Sequence, residues 1–278
     1  MAIFTGLLRG FFDLLLAPFQ GMPAMVTLFP ISLIVSIGAL YVFKKTSDQD
    51  AMDQVKRNIH ASIFEIRLFN DDLRAILRAQ IEVFGHVLNQ FRLTLIPLLW
   101  MLPPIFILIT HLQFHYGYSG FEPGDQVLVT AVLKGEPDAL DFDKPPYSLR
   151  APAGVDVETA ALWVPSLNEL TWRVLAEEPG AYELEIVAAD GSVTTKRLQI
   201  SDDIVRRSPE RPSGLLWQLW FPQEPPLAGD SPFAAIRIDY PDTEMSVFGL
   251  FDLSWLYVFL LLTIVLGFAL RKPMGVTI

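Results

Sequence analysis

A chain of 278 residues that is 51 % hydrophobic, carries a formal charge of −10 and contains no cysteine excludes several classes at once. Without cysteine there is no disulfide framework, no thiolate zinc site and no cysteine nucleophile. The acidic stretch 114–250 holds ten Lys and Arg against twenty-two Asp and Glu, so it is not expected to bind nucleic acid, which needs concentrated positive charge.

Taken in order, residues 1–20 come first. The stretch from Ala2 to Phe19 lacks a small-residue cleavage site and is interrupted by Pro18, so a cleavable signal peptide is not expected. Thr5, Arg9 and Asp13 fall on one stripe at i, i+4 and i+8, with Leu7, Leu8, Phe11, Phe12 and Leu15 around the rest of the helix. The pattern predicts an interfacial amphipathic helix in the outer leaflet with its polar stripe toward the headgroups; a short re-entrant segment is the alternative.

Three long apolar runs follow, at 24–43, 93–112 and 253–270. Each is close to the ~20 residues that cross the ~30 Å hydrocarbon core of a bilayer. The first contains Pro30, Ser32, Ser36 and Gly38, and the second contains Pro97, Pro103 and Pro104. Proline in a bilayer helix is tolerated where neighbouring groups re-satisfy the carbonyl it frees, which suits a packed bundle or a shallow polar groove. Lys44, Lys45, Arg67, Arg74, Arg78 and Arg92 lie between the first two runs, and Arg271 and Lys272 follow the third. The positive-inside rule therefore puts 44–92 and the tail 271–278 in the cytoplasm, and the N-terminus and 114–250 outside. The expected location is a membrane of the bacterial inner type, with 114–250 periplasmic.

Within 44–92, Ser47 with Asp50 three residues later reads as a weak capping box. Met52, Val55, Ile59, Ile63 and Ile66 recur at spacings of three and four, and Asn70, Asp71 and Asp72 interrupt them. Leu73, Ile76, Leu77, Ile81, Phe84, Leu88 and Phe91 resume the period and run directly into the second apolar run. This predicts a cytoplasmic helical hairpin with a seam of Ile59, Ile63 and Ile66 against Leu73, Leu77 and Ile81.

Past residue 121 the period changes to two. Val127, Val129, Ala131 and Leu133 alternate, as do Leu170, Trp172 and Val174, and Tyr182, Leu184 and Ile186. Asp190-Gly191 is a hairpin signal and Pro179-Gly180 marks another turn. Residues 122–203 are thus expected to form a small β-sandwich of six or seven strands, and Gly180-Ala181-Tyr182 resembles the Gly-x-Tyr opening of a late strand in immunoglobulin-like domains. From 204 to 250 a Pro- and Trp-rich strip, with Trp217 and Trp220 among Pro209, Pro212, Pro222, Pro225 and Pro226, is expected to dock on the sandwich or at the membrane surface. A last strand from Ala235 to Tyr240 would then lead toward the third apolar run. The expected fold is an α-helical membrane protein with three transmembrane helices, a cytoplasmic hairpin, and an Ig-like β-sandwich inserted between the second and third spans.

His111 and His115 sit one helical turn apart, a spacing that can place two imidazoles on one metal, but the sequence supplies no third ligand and the aromatic residues around them read as an interfacial belt. Asp138, Asp141 and Asp143 lack the EF-hand glycine and terminal glutamate. No phosphate loop, nucleophile elbow or HExxH motif is present. A non-enzymatic role without cofactor is expected.

The order of parts resembles the YidC insertase superfamily. The residues that carry the resemblance are Leu15-Leu16-Ala17-Pro18, Tyr41-Val42-Phe43-Lys44-Lys45 closing the first run, and Leu95-Ile96-Pro97 opening the second. It is closest to the short branch, the archaeal YidC-like proteins and the insertase subunit of the endoplasmic reticulum membrane complex, and it covers about 1–112 and the last run. The resemblance implies a three-span groove open to cytoplasm and lipid, membrane-protein clients, and a hairpin that meets the ribosome, targeting factors or client. Groove candidates on these terms are Ser32, Ser36 and Thr94. Bacterial relatives carry an arginine inside the groove, and here the nearest cations are Lys44, Lys45 and Arg92 at its cytoplasmic mouth. The alternative is a scaffold or accessory subunit in a fixed envelope complex.

Overall fold

The computed structural model describes residues 2–19, 21–68, 72–135, 146–214, 217, 220–247 and 251–277, with side chains omitted at 2–4, 75 and 247. The chain divides into two compact units, Met1–Met25 with Ile109–Leu256 and Val26–Leu108 with Tyr257–Ile278. The first is called the β unit and the second the helical unit.

In the β unit, α1 (Ala2–Leu16) buries Thr5, Phe12 and Leu16 and exposes Leu7, Phe11 and Leu14. The stripe expected to face headgroups is turned the other way. Arg9 donates to the Gln223 carbonyl at 3.1 Å and Asp13 pairs with Arg206 and His115. Charges that find protein partners need no water, and the helix is left with apolar residues outward.

Among the described residues eleven strands lie between 126 and 254, in two larger sheets and a hairpin. The first sheet runs β3 (Val155–Val157), β5 (Glu169–Ala176), β1 (Gln126–Leu133), β9 (Phe233–Ile238), β8 (Glu210–Pro212), with β4 (Leu162–Val164) also on β5. The second runs β2 (Tyr147–Arg150), β6 (Gly180–Ala188), β7 (Val193–Ile200). Every pairing is antiparallel. Alternation decides the faces: Val127, Val129, Ala131, Leu170, Trp172 and Val174 from one sheet share a buried core with Leu149, Leu184, Ile186, Leu198 and Ile200 from the other. The hairpin between β6 and β7 closes at Asp190-Gly191, where Gly191 has φ 82°, a conformation that costs a residue with a Cβ. The sheet extends beyond residue 203. The strand expected at 235–240 is β9, two residues earlier, and it pairs with β1 while Phe233, Ile236 and Ile238 fill the same core. The chain then makes a hairpin of β10 (Glu244–Val247) and β11 (Phe251–Ser254).

Part of the Pro-rich strip docks on the β unit, while Trp217 and Trp220 are exposed. Leu227 joins the core, Gln223 and Glu224 are buried, and Arg211 donates to the Pro225 carbonyl at 2.9 Å. Glu224 meets Lys196, which is wholly buried and also bonded to Ser208. Burial pushes the Lys196 ammonium down and the adjoining carboxylate pulls it back, a pairing without which neither charge would be tolerable inside.

The helical unit contains most of α2 (Ala24–Thr46) and α4 (Leu73–Tyr116), all of α3 (Gln49–Leu68), and most of α5 (Trp255–Leu270). Among the described residues two helices are long and apolar enough to cross a membrane, α2 and the Ile76–Tyr116 part of α4. At 44 residues α4 is about 66 Å long, so the hairpin arm and the second apolar run are one continuous helix. The run expected at 253–270 is divided: Leu253 and Ser254 belong to β11, and α5 has 16 residues, about 24 Å.

The cap of α3 is Asp48, whose Oδ1 accepts from the Ala51 amide at 3.0 Å, while Ser47 bonds back to the Phe43 carbonyl. Asp72 does the same for α4, accepting from Arg74 at 2.9 Å. Asn70 and Asp71, on which the expected interruption rests, lie outside the described residues, as do Asp138, Asp141 and Asp143. The predicted seam is corrected. Ile63, Leu73, Leu77 and Ile81 are exposed and Ile59 and Ile66 half-buried, whereas Met52, Val55 and Ser62 on α3 and Ala79 on α4 are buried. The inward stripe of α4 is thus marked by a small residue, and the large apolar side chains stand on another face.

The tail returns to the start of α3. Thr277 donates its amide to Gln49 at 2.6 Å and its hydroxyl to Asp53 at 2.8 Å, and Val276 packs with Leu40, Phe43 and Met52.

Candidate client groove

Three helices of the helical unit converge on a cavity of about 200 Å³ lined by Ser36, Leu40 and Phe43 of α2, Thr94 and Met101 of α4, and Thr263 and Gly267 of α5. A second, about 270 Å³, is lined by apolar residues of α2 and α4, including Gly38, Ala39, Met101 and Pro104. Met101 and Ala39 belong to both, so the two form a broken trough along the α2–α4 contact. Glycine, alanine and serine on α2 keep that contact shallow by removing side-chain bulk, the usual device where membrane helices approach closely.

The polar content of the trough is three hydroxyls. Ser36 Oγ is 2.7 Å from the Ser32 carbonyl and 3.0 Å from the Thr263 carbonyl, sharing one proton between them. Thr94 donates to the Gln90 carbonyl at 2.9 Å. Thr263 Oγ1 and Ser32 Oγ are buried without a hydrogen-bond partner among the described residues, and a buried hydroxyl left unpaired costs about 1–3 kcal/mol. Pro97, one turn beyond Thr94, withholds the amide that would serve the Leu93 carbonyl. The trough can therefore accept or donate a few hydrogen bonds in an otherwise apolar setting.

Of the six residues singled out from the sequence, the structure brings Ser36 and Thr94 to one cavity and buries Ser32 nearby on α2. The cations are elsewhere. Lys44 donates to the Met274 carbonyl at 2.7 Å, while Lys45 and Arg92 are exposed and line neither cavity. Sequence reasoning missed Thr263 and Gly267; the one available signal was that Thr263 is the sole small hydroxyl residue in α5.

His111 and His115 do not face a common point. His115 Nδ1 is 3.0 Å from the His111 carbonyl, its Nε2 is 3.5 Å from Asp13, and the His111 ring stacks on Phe12 with centroids 4.7 Å apart. Among the described residues no three His, Asp or Glu side chains gather as metal ligands do. Burial raises the Asp13 carboxyl, but the bond to His115 and the charges of Arg206, His115 and Arg9 outweigh it and hold it below its ordinary range.

These features define a class: a helical unit with helices long enough to cross a bilayer and a shallow, hydroxyl-bearing trough, in one chain with a two-sheet β domain. No protein-family model matches the chain, and no curated protein matches it in sequence.

Proposed function

We propose that the protein is a three-span integral membrane protein of YidC type that acts, without cofactor, as an insertase or membrane chaperone. α5 with the residues just before it serves as the third span, the β domain lies outside, periplasmic in a bacterial inner membrane, and the hairpin of α3 and α4 lies in the cytoplasm with access to ribosome or client. The reading is carried by the trough of Ser36, Thr94 and the unpaired Thr263 hydroxyl, which gives a passing polar segment partners that hydrocarbon lacks and so lowers the cost of its transfer. The β domain is read as immunoglobulin-like. Support comes from the strand order, with β1, β5 and β3 in one sheet and β2, β6 and β7 in the other, and from the Tyr182 hydroxyl donating to the Glu178 carbonyl at 2.9 Å, the bond of a tyrosine corner.

A scaffold role in a fixed complex is the second reading, and one observation favours it. Leu73, Leu77, Ile81, Phe84, Leu88 and Phe91 on α4 are each more than half exposed. Their three-and-four spacing is that of a helix-pairing seam.

Photo-crosslinkers at Ser36, Thr94 and Thr263 separate the two. An insertase captures many nascent membrane segments at these positions, and removing the positive charges of Lys44, Lys45 and Arg92 reduces insertion of short-tailed clients. Capture of one or two stoichiometric partners at Leu77 and Phe84, with no nascent segments at the trough, overturns the insertase reading in favour of the scaffold.

A further inference from the structure

A cavity of about 540 Å³ in the β unit is lined by the end of α1, strands β6 and β7, residues 204–206 and Gln223 of the docked Pro-rich strip. Its volume is in the range of about 300–1,000 Å³ of small-ligand sites. Arg197, Arg206, His115, Tyr240 and Gln223 line it, with Asp13 and Glu183 as its acids.

Three properties single it out. First, the Gln223 side chain is 1 % exposed and lines the cavity, yet neither end of its amide has a hydrogen-bond partner among the described residues. Such a group is costly unless something in the cavity completes it. Second, like charges crowd here. Burial lowers the Arg206 guanidinium, as do Arg197 and Arg9, and only Asp13 and Glu224 oppose them; Arg9 is lowered by its burial and by Arg197 in turn. Glu224 is already taken by Lys196, so the lining sets Arg197 and Arg206 against Asp13 and the exposed Glu183, and Arg9 adds its positive charge from beside the cavity. Third, burial pushes the Tyr240 phenol up, against the pull of the Gln199 amide and Arg207. Its oxygen accepts from Gln199 at 2.9 Å, so its proton remains available to donate.

From this geometry we infer that the cavity binds a phosphate group through Arg197, Arg206, the Gln223 amide and the Tyr240 hydroxyl. Guanidinium forks and a carboxamide match the tetrahedral oxyanion in several directions at once, which a single ammonium does not. The source can be a phospholipid headgroup or free phosphate. The same unit carries the exposed Leu7, Phe11 and Leu14 of α1, an apolar face of the kind that settles at headgroup depth. The inference does not depend on the insertase reading, since none of its residues lines the trough.

Calorimetric titration of the full-length protein in a neutral detergent tests it, with inorganic phosphate, dihexanoyl phosphatidylglycerol and phosphate-free dihexanoyl glycerol as probes. Saturable one-to-one binding of a phosphate-bearing probe is expected, weakened about tenfold by Arg197→Gln and recovered in part by Arg197→Lys. Arg197 is exposed, so its replacement spares the fold. Gln223→Leu replaces an unpaired buried amide by a side chain of similar size; it leaves the melting temperature unchanged or raised and weakens binding. Tighter binding of phosphatidylglycerol than of phosphate assigns the headgroup, and equal or stronger binding of phosphate assigns the free ion. Absence of saturable binding by both, equal binding of dihexanoyl glycerol, or affinities untouched by Arg197→Gln and Gln223→Leu would overturn the inference.

Discussion

Trp172 in the β unit is 1 % exposed and Trp100 in the helical unit is 66 % exposed, although the two side chains are the same. The contrast extends to their neighbours. Around Trp172 the apolar positions of two sheets turn inward and close on one core, as water demands of a small domain. Around Trp100, Leu95, Ile96, Leu98, Leu99 and Leu102 all stand outward, while α2 turns Leu28, Ile31, Leu40 and Phe43 inward together with the hydroxyls of Thr27, Ser32 and Ser36. The β unit is built for water. The helical unit instead carries helices long and apolar enough to cross a membrane, and the outward stripe of α4 continues their apolar surface toward its N-terminal end.

The largest effect that can break this comparison is in the β core. Trp172→Ala is expected to destabilise the β unit by about 3–5 kcal/mol, read as a loss of its melting transition, while Leu77→Ala on the exposed stripe of α4 should change stability in detergent by about 0.5 kcal/mol or less. Comparable losses for both would mean that the stripe is covered within the chain. A smaller effect comes from the buried face of α4: Ala79→Leu is expected to cost about 1–3 kcal/mol by overpacking, whereas Ile63→Leu at an exposed position costs almost nothing, and thermal melts of the two variants decide which face is covered. Smallest is the acid response of Asp13. Its carboxyl titrates below its ordinary range, so it stabilises the fold above about pH 4, and that contribution is lost as the pH falls through its lowered value. Because Asp13 is about half exposed, the contribution is about 1 kcal/mol or less. Asp13→Asn should flatten the fall of the melting temperature between about pH 4 and pH 2, and an unchanged profile would remove Asp13 as its source.

Local chemistry was legible in the sequence and long-range pairing was not. The β6–β7 hairpin followed from Asp190-Gly191 and the alternation on either side, because turn type and period are written within ten residues. The apolar runs gave α2 and the upper part of α4 by length alone. β9 was visible as a strand, yet nothing local told it to leave the route to the membrane and pair with β1. The hairpin seam failed for a related reason: the large apolar residues of α4 stand outward, and the rule that large residues face inward does not find the buried Ser62 and Ala79. In the trough, Ser36 and Thr94 are candidates because the YidC resemblance implies a groove in the runs that hold them, whereas Thr263 depends on which face α5 presents. The stripe of Thr5, Arg9 and Asp13 was plain, but its partners Arg206 and Gln223 lie some two hundred residues away.

The central claim, that the β domain and the hairpin lie on opposite sides of a bilayer, is tested most directly by cysteine accessibility, because the native chain has none. Ser192, in the exposed β6–β7 turn, and Gln54, exposed on α3, are each replaced by cysteine and treated in intact cells with a membrane-impermeant maleimide. The account predicts labelling at 192 without permeabilisation and at 54 only after it; labelling of both from outside, or the reverse order, would contradict it.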